Sequence, residues 1–193
     1  MPIDLILQNP IFDKEANQYT YTDIPKKDTI NYLKKYLINC FSEVFINNDM
    51  NNHDLTFLAN YNGINIGEII VCCLSNEINI DDFINEPQID DFRFVNCSYL
   101  SEELLVSNYV NNKNCFFVIK ELEILEPYRG NGLGRQILWM LSRKLQMAIN
   151  QVYGNNFKVS FVLKNKKQPQ MIESFFVDNG FIKNTKTDIL YKI

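Results

Sequence analysis

Leu122-Glu123-Ile124-Leu125-Glu126-Pro127-Tyr128-Arg129-Gly130-Asn131-Gly132-Leu133-Gly134 is the stretch on which the reading of this chain turns. The chain has 7 glycines, and Gly130, Gly132 and Gly134 all fall here, between an apolar run and an amphipathic one. Glycine lets a backbone turn tightly and lets a ligand approach main-chain N–H groups with no Cβ in the way. At a helix start those N–H groups lack intrahelical partners and sit at the positive end of the helix dipole. The combination suits phosphate or pyrophosphate, and Arg129 and Arg135 add positive charge on either side. A dinucleotide fingerprint, GxGxxG, would require glycine at 135, where Arg135 stands. Neither GxSxG nor GxxxxGK[ST] occurs, so the signals of an α/β-hydrolase and of a P-loop nucleotidase are missing.

Outward from this stretch, residues 115–125 have the β-branched and aromatic content of a strand that Pro127 ends. From Leu133, the positions Ile137, Leu138, Leu141, Leu145 and Ala148 trace one helical face to about Asn150. A strand is expected over 157–163. Pro169 suits the first turn of a helix through Ile172, Phe175 and Phe176 that stops at Asn179-Gly180. Two short β runs, 181–183 and 189–193, close the chain. Upstream, a strand-like stretch ends at Pro25, and Ile30, Leu33, Leu37, Phe41, Val44 and Phe45 predict an amphipathic helix over 28–46. Asn62-Gly63 between β-like runs at 55–61 and 66–74 predicts a hairpin. Residues 75–114 have no clear period. They read as an acidic insertion with a short helix near 101–110, carrying Glu77, Asp81, Asp82, Glu86, Asp90 and Asp91 with no basic residue between them. Such a cluster is either plain solvated surface or a means of gathering a cationic ligand. The order describes an α/β fold, a mixed sheet covered by helices, in a single domain over 1–193.

Composition narrows the function classes. With 193 residues, 46% hydrophobic, the chain can bury one sizeable core. A net charge of -4 argues against a broad basic face for nucleic acid. No secretory leader or membrane-length apolar run is visible, so the expected location is cytoplasmic. Five cysteines, Cys40, Cys72, Cys73, Cys97 and Cys115, read as reduced, buried thiols, and adjacent Cys72 and Cys73 cannot form a CxxC ligand pair, so no metal is expected. His53, the one histidine, lies in a polar stretch and reads as a solvated loop residue.

The quoted stretch resembles the acetyl-CoA signature of the GCN5-related N-acetyltransferases (GNAT), whose core pattern is [QR]-x-x-G-x-[GA]; Arg129, Gly132 and Gly134 fill its three defined places. Phe175-Phe176-Val177-Asp178-Asn179-Gly180-Phe181 is similar to the family's closing helix. The resemblance implies a GNAT-like, mostly antiparallel mixed sheet with helices on both faces. It also implies acetyl-CoA as acyl donor and transfer of an acetyl group to a primary amine by direct attack in a ternary complex. Main-chain N–H groups of Arg129, Gly130, Asn131, Gly132, Leu133, Gly134 and Arg135 would hold the pyrophosphate. Main-chain groups of Ile124 and Leu125 would pair with the pantetheine amides, because in this family the central strand splays from its neighbour. The Ile124 amide would face the thioester carbonyl, where it can stabilise an oxyanion. Lys164, Lys166 and Lys167 could meet a 3′-phosphate or simply be solvated.

Attack on a thioester needs a neutral amine, and Glu121 and Glu123 are the carboxylates near enough in sequence to assist proton removal. A regular strand puts both on one side, a family bulge would reverse the parity, and each could instead be a structural partner of a nearby cation. Phe176 stands where the family often has a tyrosine general acid, and Gln168 is the nearest amide to the family's common Asn. The expected partner is an amine acceptor, a cationic small molecule or peptide, with a homodimer left open and neither membrane nor nucleic acid expected. The rival reading is a catalytically degenerate acyl-CoA sensor or interaction module.

Overall fold

The structure, a computed structural model, describes residues 3–40, 54–73, 113–164, 170–183 and 189–192. The insertion through 112 with its expected helix lies outside the described residues, as do 41–46, His53, Cys97, Lys166, Lys167, Gln168 and Pro169. The elements are β1 (Asp4–Asp13), β2 (Gln18–Asp23), α1 (Thr29–Cys40), β3 (Leu55–Tyr61), β4 (Ile64–Cys73), β5 (Lys113–Ile124), α2 (Leu133–Tyr153), β6 (Phe157–Lys164), α3 (Gln170–Asp178), β7 (Ile182–Lys183) and β8 (Ile189–Lys192). They form one eight-stranded sheet of order β2-β1-β3-β4-β5-β6-β8-β7. Every pairing is antiparallel except β5 with β6. This is the mixed, mostly antiparallel α/β sheet that the sequence led us to expect.

One expectation fails at the start of the chain. The strand-like stretch before Pro25 is two strands, because the chain reverses between Asp13 and Gln18. There Asp13 Oδ1 accepts from the N–H groups of Glu15 and Ala16, and Asn17 takes the left-handed conformation, φ 50°. The hairpin predicted at Asn62-Gly63 is present. Both residues have positive φ, 55° and 81°, as a two-residue turn matched to strand twist requires.

Alternation on the central strands decides what they cover. Leu5, Leu7, Leu55, Phe57, Ala59, Ile69 and Val71 point to one face and are buried. With Leu33 and Leu37 of α1 and Ile137, Leu141 and Leu145 of α2 they form one core. Burial of each such side chain stabilises the fold by about 1.5–3 kcal/mol. Lys144, also on α2, lies 3.8 Å from Asp4, and its pKa is lowered, chiefly by desolvation and further by Lys26, against the opposing pull of Asp4. The closing helix ends as its sequence predicts. Gly180, φ 86°, reverses the chain, the Phe181 N–H donates to the Phe176 carbonyl at 3.0 Å, and the two rings meet at 5.0 Å.

The site depends on β5. Val71 pairs with Ile119 but Ile70 pairs with Glu121, so Lys120 is the extra residue of a β-bulge. Buried positions run Cys115, Phe117 and Ile119 before it, then continue with half-buried Leu122 and Ile124 on that same face. The bulge therefore shifts the parity that a regular strand would keep. Lys120 itself reaches Asp54 at 2.7 Å. On its other edge β5 pairs with β6 from Lys113↔Phe157 to Val118↔Val162, and there the ladder stops although β5 runs on to Ile124. Beyond that point β6 keeps its bonds to β8, through Lys164↔Ile189. The two parallel strands have parted.

Candidate active site

Main-chain geometry shows which groups the parting leaves open. The Leu125 N–H donates to the Ile66 carbonyl at 2.8 Å, and Gly67 lies opposite Ile124. That bond makes Gly67 and Ile124 a non-hydrogen-bonded pair, so the N–H and C=O of Ile124 point away from β4. By alternation those of Leu122 do the same, while Glu121 and Glu123 bond to β4. Leu122 and Ile124 thus present polar main-chain groups to the side where β6 has left. Gly67 permits the close approach: a Cβ there would lie 2.1 Å from the Glu123 carbonyl oxygen.

Past Ile124 the chain makes a single 3-10 turn, Glu126–Tyr128, with Pro127 in its first turn. The Tyr128 N–H donates to the Leu125 carbonyl at 2.9 Å, and Arg129 Nε donates to the Ile124 carbonyl at 2.6 Å. Gly130 and Gly132 follow with φ 79° and 71°, and a Cβ on either would meet nothing within 4 Å. Gly132 is the N-cap of α2 and has no side chain with which to cap it; the first turn holds no acidic residue. The Gln136 N–H bonds back to the Gly132 carbonyl, which makes the N–H groups of Leu133, Gly134 and Arg135 the helix's first-turn donors. A 21-residue helix thus begins at a glycine N-cap with no side-chain cap among the described residues, and these residues fit a phosphate group.

The expected cofactor residues divide by environment. Arg129, Gly130, Asn131, Gly132 and Arg135 are exposed, while Leu133 and Gly134 are buried. Gly134 has a packing duty as well, since a Cβ there would come within 2.9 Å of the Phe175 ring and 3.3 Å of Ile124 Cδ1. The expectation for Leu125 needs correction. Its N–H is taken by the Ile66 carbonyl and its C=O already accepts from the Tyr128 N–H, so the outward groups are the N–H of Ile124, whose C=O accepts from Arg129, and the N–H and C=O of Leu122. Sequence inspection missed this because the side on which a residue's N–H lies is set by register with a partner strand.

Glu121 and Glu123 are exposed on the face opposite Leu122 and Ile124. Among the described residues no cation pairs with either. Glu68, which sequence inspection also missed, stands directly across the ladder from Glu123 and is half-buried. It is the one charged residue in β4, INIGEIIVCC, and that isolation was the available signal. Like charges facing each other across a ladder destabilise it, so the β4–β5 junction concentrates negative charge at a structural cost. Phe176 is 3% exposed and packs edge-on between Phe175 and Phe181, so no hydroxyl stands at that place.

No protein-family model matches the chain, and no curated protein is similar to it. Solved structures are similar at low identity. One is a mutant AtaT toxin bound to the C-terminus of the antitoxin AtaR and acetyl-CoA, at 12% identity and TM-score 0.42, covering 72% of this chain and 66% of that one. The chain therefore spans a little under two thirds of that toxin chain. Another is an acetyltransferase from Thermus thermophilus, at 15% identity and TM-score 0.41, covering 99% of this chain and 95% of that one. A third is a 'putative streptothricin acetyltransferase' from Bacillus anthracis str. Ames in complex with acetyl coenzyme A, at 15% and 0.34, covering 98% and 85%. With so little identity, the reading of the site rests on this chain's own residues. Among the described residues no helix is long and apolar enough to cross a membrane.

Proposed function

We propose that the chain is a GNAT-type N-acetyltransferase that takes acetyl-CoA as donor and a primary amine as acceptor, by direct attack in a ternary complex. One observation carries this reading: the half of β5 that β6 has left leads, through one turn, straight into a left-handed glycine loop at a helix start whose N-cap is a glycine. A ligand that is amide-bearing at one end and anionic at the other matches that sequence of groups, and pantetheine joined to a pyrophosphate is such a ligand. The Leu122 N–H and C=O extend the ladder onto the pantetheine arm, with the Ile124 N–H beside them. The donors of Leu133, Gly134 and Arg135 take the pyrophosphate, with Arg129 and Arg135 supplying charge. When bound, acetyl-CoA supplies an activated acyl group. The Ile124 N–H is the donor placed for charge that develops on the acyl oxygen.

Glu121 or Glu123 assists removal of the acceptor's proton, and Glu68 adds to a negative field that draws a cationic amine. Phe176 offers no hydroxyl to the departing thiolate at the place of the family's usual tyrosine; a thiol of reference pKa about 8.5 can leave without much protonation. That same buried Phe176 favours the second reading, an acyl-CoA-binding module without turnover. Thiol release measured against a panel of amines, beside CoA titration calorimetry, separates the two. Binding with release supports the transferase, binding without release against every amine supports the module, and no binding removes both.

A further inference from the structure

Trp139 is the chain's single tryptophan, and it is 56% exposed in the middle of a helix whose other face is core. Its position around α2 is fixed by Gln146, seven residues on and hence on nearly the same side. Gln146 Nε2 donates to the Phe157 carbonyl at 2.8 Å, and its Oε1 accepts from the Val159 N–H at 2.9 Å. Trp139 therefore lies on the β6-facing flank of α2. It is about 10 Å nearer the helix start than Gln146, on the side of the gap between β5 and β6. The Arg143 guanidinium sits over the indole at 4.7 Å from its centroid, and Arg135 is one turn before Trp139 on the same stripe. A surface indole left in water, flanked by two arginines and continuous with an anion-binding helix start, calls for an occupant that is aromatic and anionic at once.

We propose that Trp139, with Arg135 and Arg143, seats the adenine nucleotide end of CoA. The inference rests on the cofactor reading above and deepens it. With the pyrophosphate at the start of α2 and the pantetheine arm running along β5, the nucleotide must leave the loop in another direction. The Arg135–Trp139–Arg143 stripe is the aromatic and cationic surface adjoining it. The indole offers a stacking platform for the purine, and the two guanidinium groups answer the negative charge of the nucleotide's phosphates.

Because Trp139 is the lone tryptophan, its emission reports this seat directly. CoA and dephospho-CoA should quench it, whereas pantetheine, which lacks the nucleotide, should leave it unchanged. By calorimetry Trp139→Ala should weaken CoA binding about 5- to 100-fold, the range for losing one base stack, and leave pantetheine affinity as in wild type. Trp139→Phe should recover most of the loss. Arg143→Gln should narrow any preference for CoA over dephospho-CoA. Equal CoA affinity for wild type and Trp139→Ala would overturn this seat while leaving the cofactor reading intact. So would equal quenching by pantetheine and CoA. Absence of CoA binding by the wild-type protein would overturn both together.

Discussion

The two edges of β5 differ. Toward β4 it is paired from Phe117 to Ile124, with one bulge at Lys120 and a glycine, Gly67, that lets the backbones approach closely. Toward β6 it is bonded only as far as Val118. Polar main-chain groups in a folded interior are nearly always satisfied, so, among the described residues, a strand that closes one edge and abandons the other midway leaves the N–H and C=O of Leu122 and the N–H of Ile124 to water or a ligand, the Ile124 C=O being taken by Arg129. The closed edge holds the fold together, and the open edge is where we propose the cofactor binds. The bulge lies between them, turning Glu121 and Glu123 to one face while Leu122 and Ile124 stay with the core.

This contrast can be broken at several points. On the acidic face of β5, Glu121→Gln or Glu123→Gln should lower kcat about 10²–10⁴-fold in thiol-release kinetics, with CoA affinity unchanged. If both single variants keep the wild-type rate, proton removal lies elsewhere. Gly132→Asp brings a carboxylate to the helix start and asks a non-glycine residue to hold φ 71°. It should abolish CoA binding in calorimetry, a loss of at least about 100-fold, with the circular dichroism of a folded protein. A folded Gly132→Asp variant that binds CoA normally would make the loop a mere turn. The closed side should respond in stability instead. Gly67→Ala sets a Cβ against the Glu123 carbonyl and should cost about 2–4 kcal/mol in urea unfolding. An unaffected midpoint would mean the β4–β5 approach is slack.

The smallest effect concerns Lys144, behind the closed edge. Its folded pKa lies below that of a free lysine because burial penalises the charge. Between the two values the unfolded chain binds more protons, so unfolding free energy should rise with pH through the alkaline window just under the ordinary lysine pKa. Lys144→Met should remove that rise when paired urea titrations are compared. The difference from wild type isolates it from Tyr32, whose raised pKa makes stability fall at higher pH.

Features whose chemistry is local were legible in the sequence. The Asn62-Gly63 turn, the glycine loop before α2 and the Asn179-Gly180 stop all fell where residue type alone dictates backbone conformation. The Asp13–Gln18 reversal escaped because it has neither Gly nor Pro, only an Asp side chain capping two N–H groups and an Asn at positive φ. What depends on a distant strand could not be read from the residues alone, and the bulge entered only as an alternative that the family resemblance offered. The bulge at Lys120 is defined against Ile70 and Val71, the exchange of Leu125 for Leu122 follows from a bond to Ile66, and the facing of Glu68 and Glu123 is a matter of register. The parting of β5 from β6 has no signal in either strand alone, and it entered the sequence reading only through the family resemblance.

Residue-resolved amide hydrogen exchange with and without acetyl-CoA tests the central claim most directly. The amides of Glu121 and Glu123, bonded to β4, should be protected in both states. Those of Leu122, Ile124, Leu133, Gly134 and Arg135 should exchange readily in the free protein and become protected when acetyl-CoA is added. Unchanged exchange at these five amides under saturating acetyl-CoA would contradict the account.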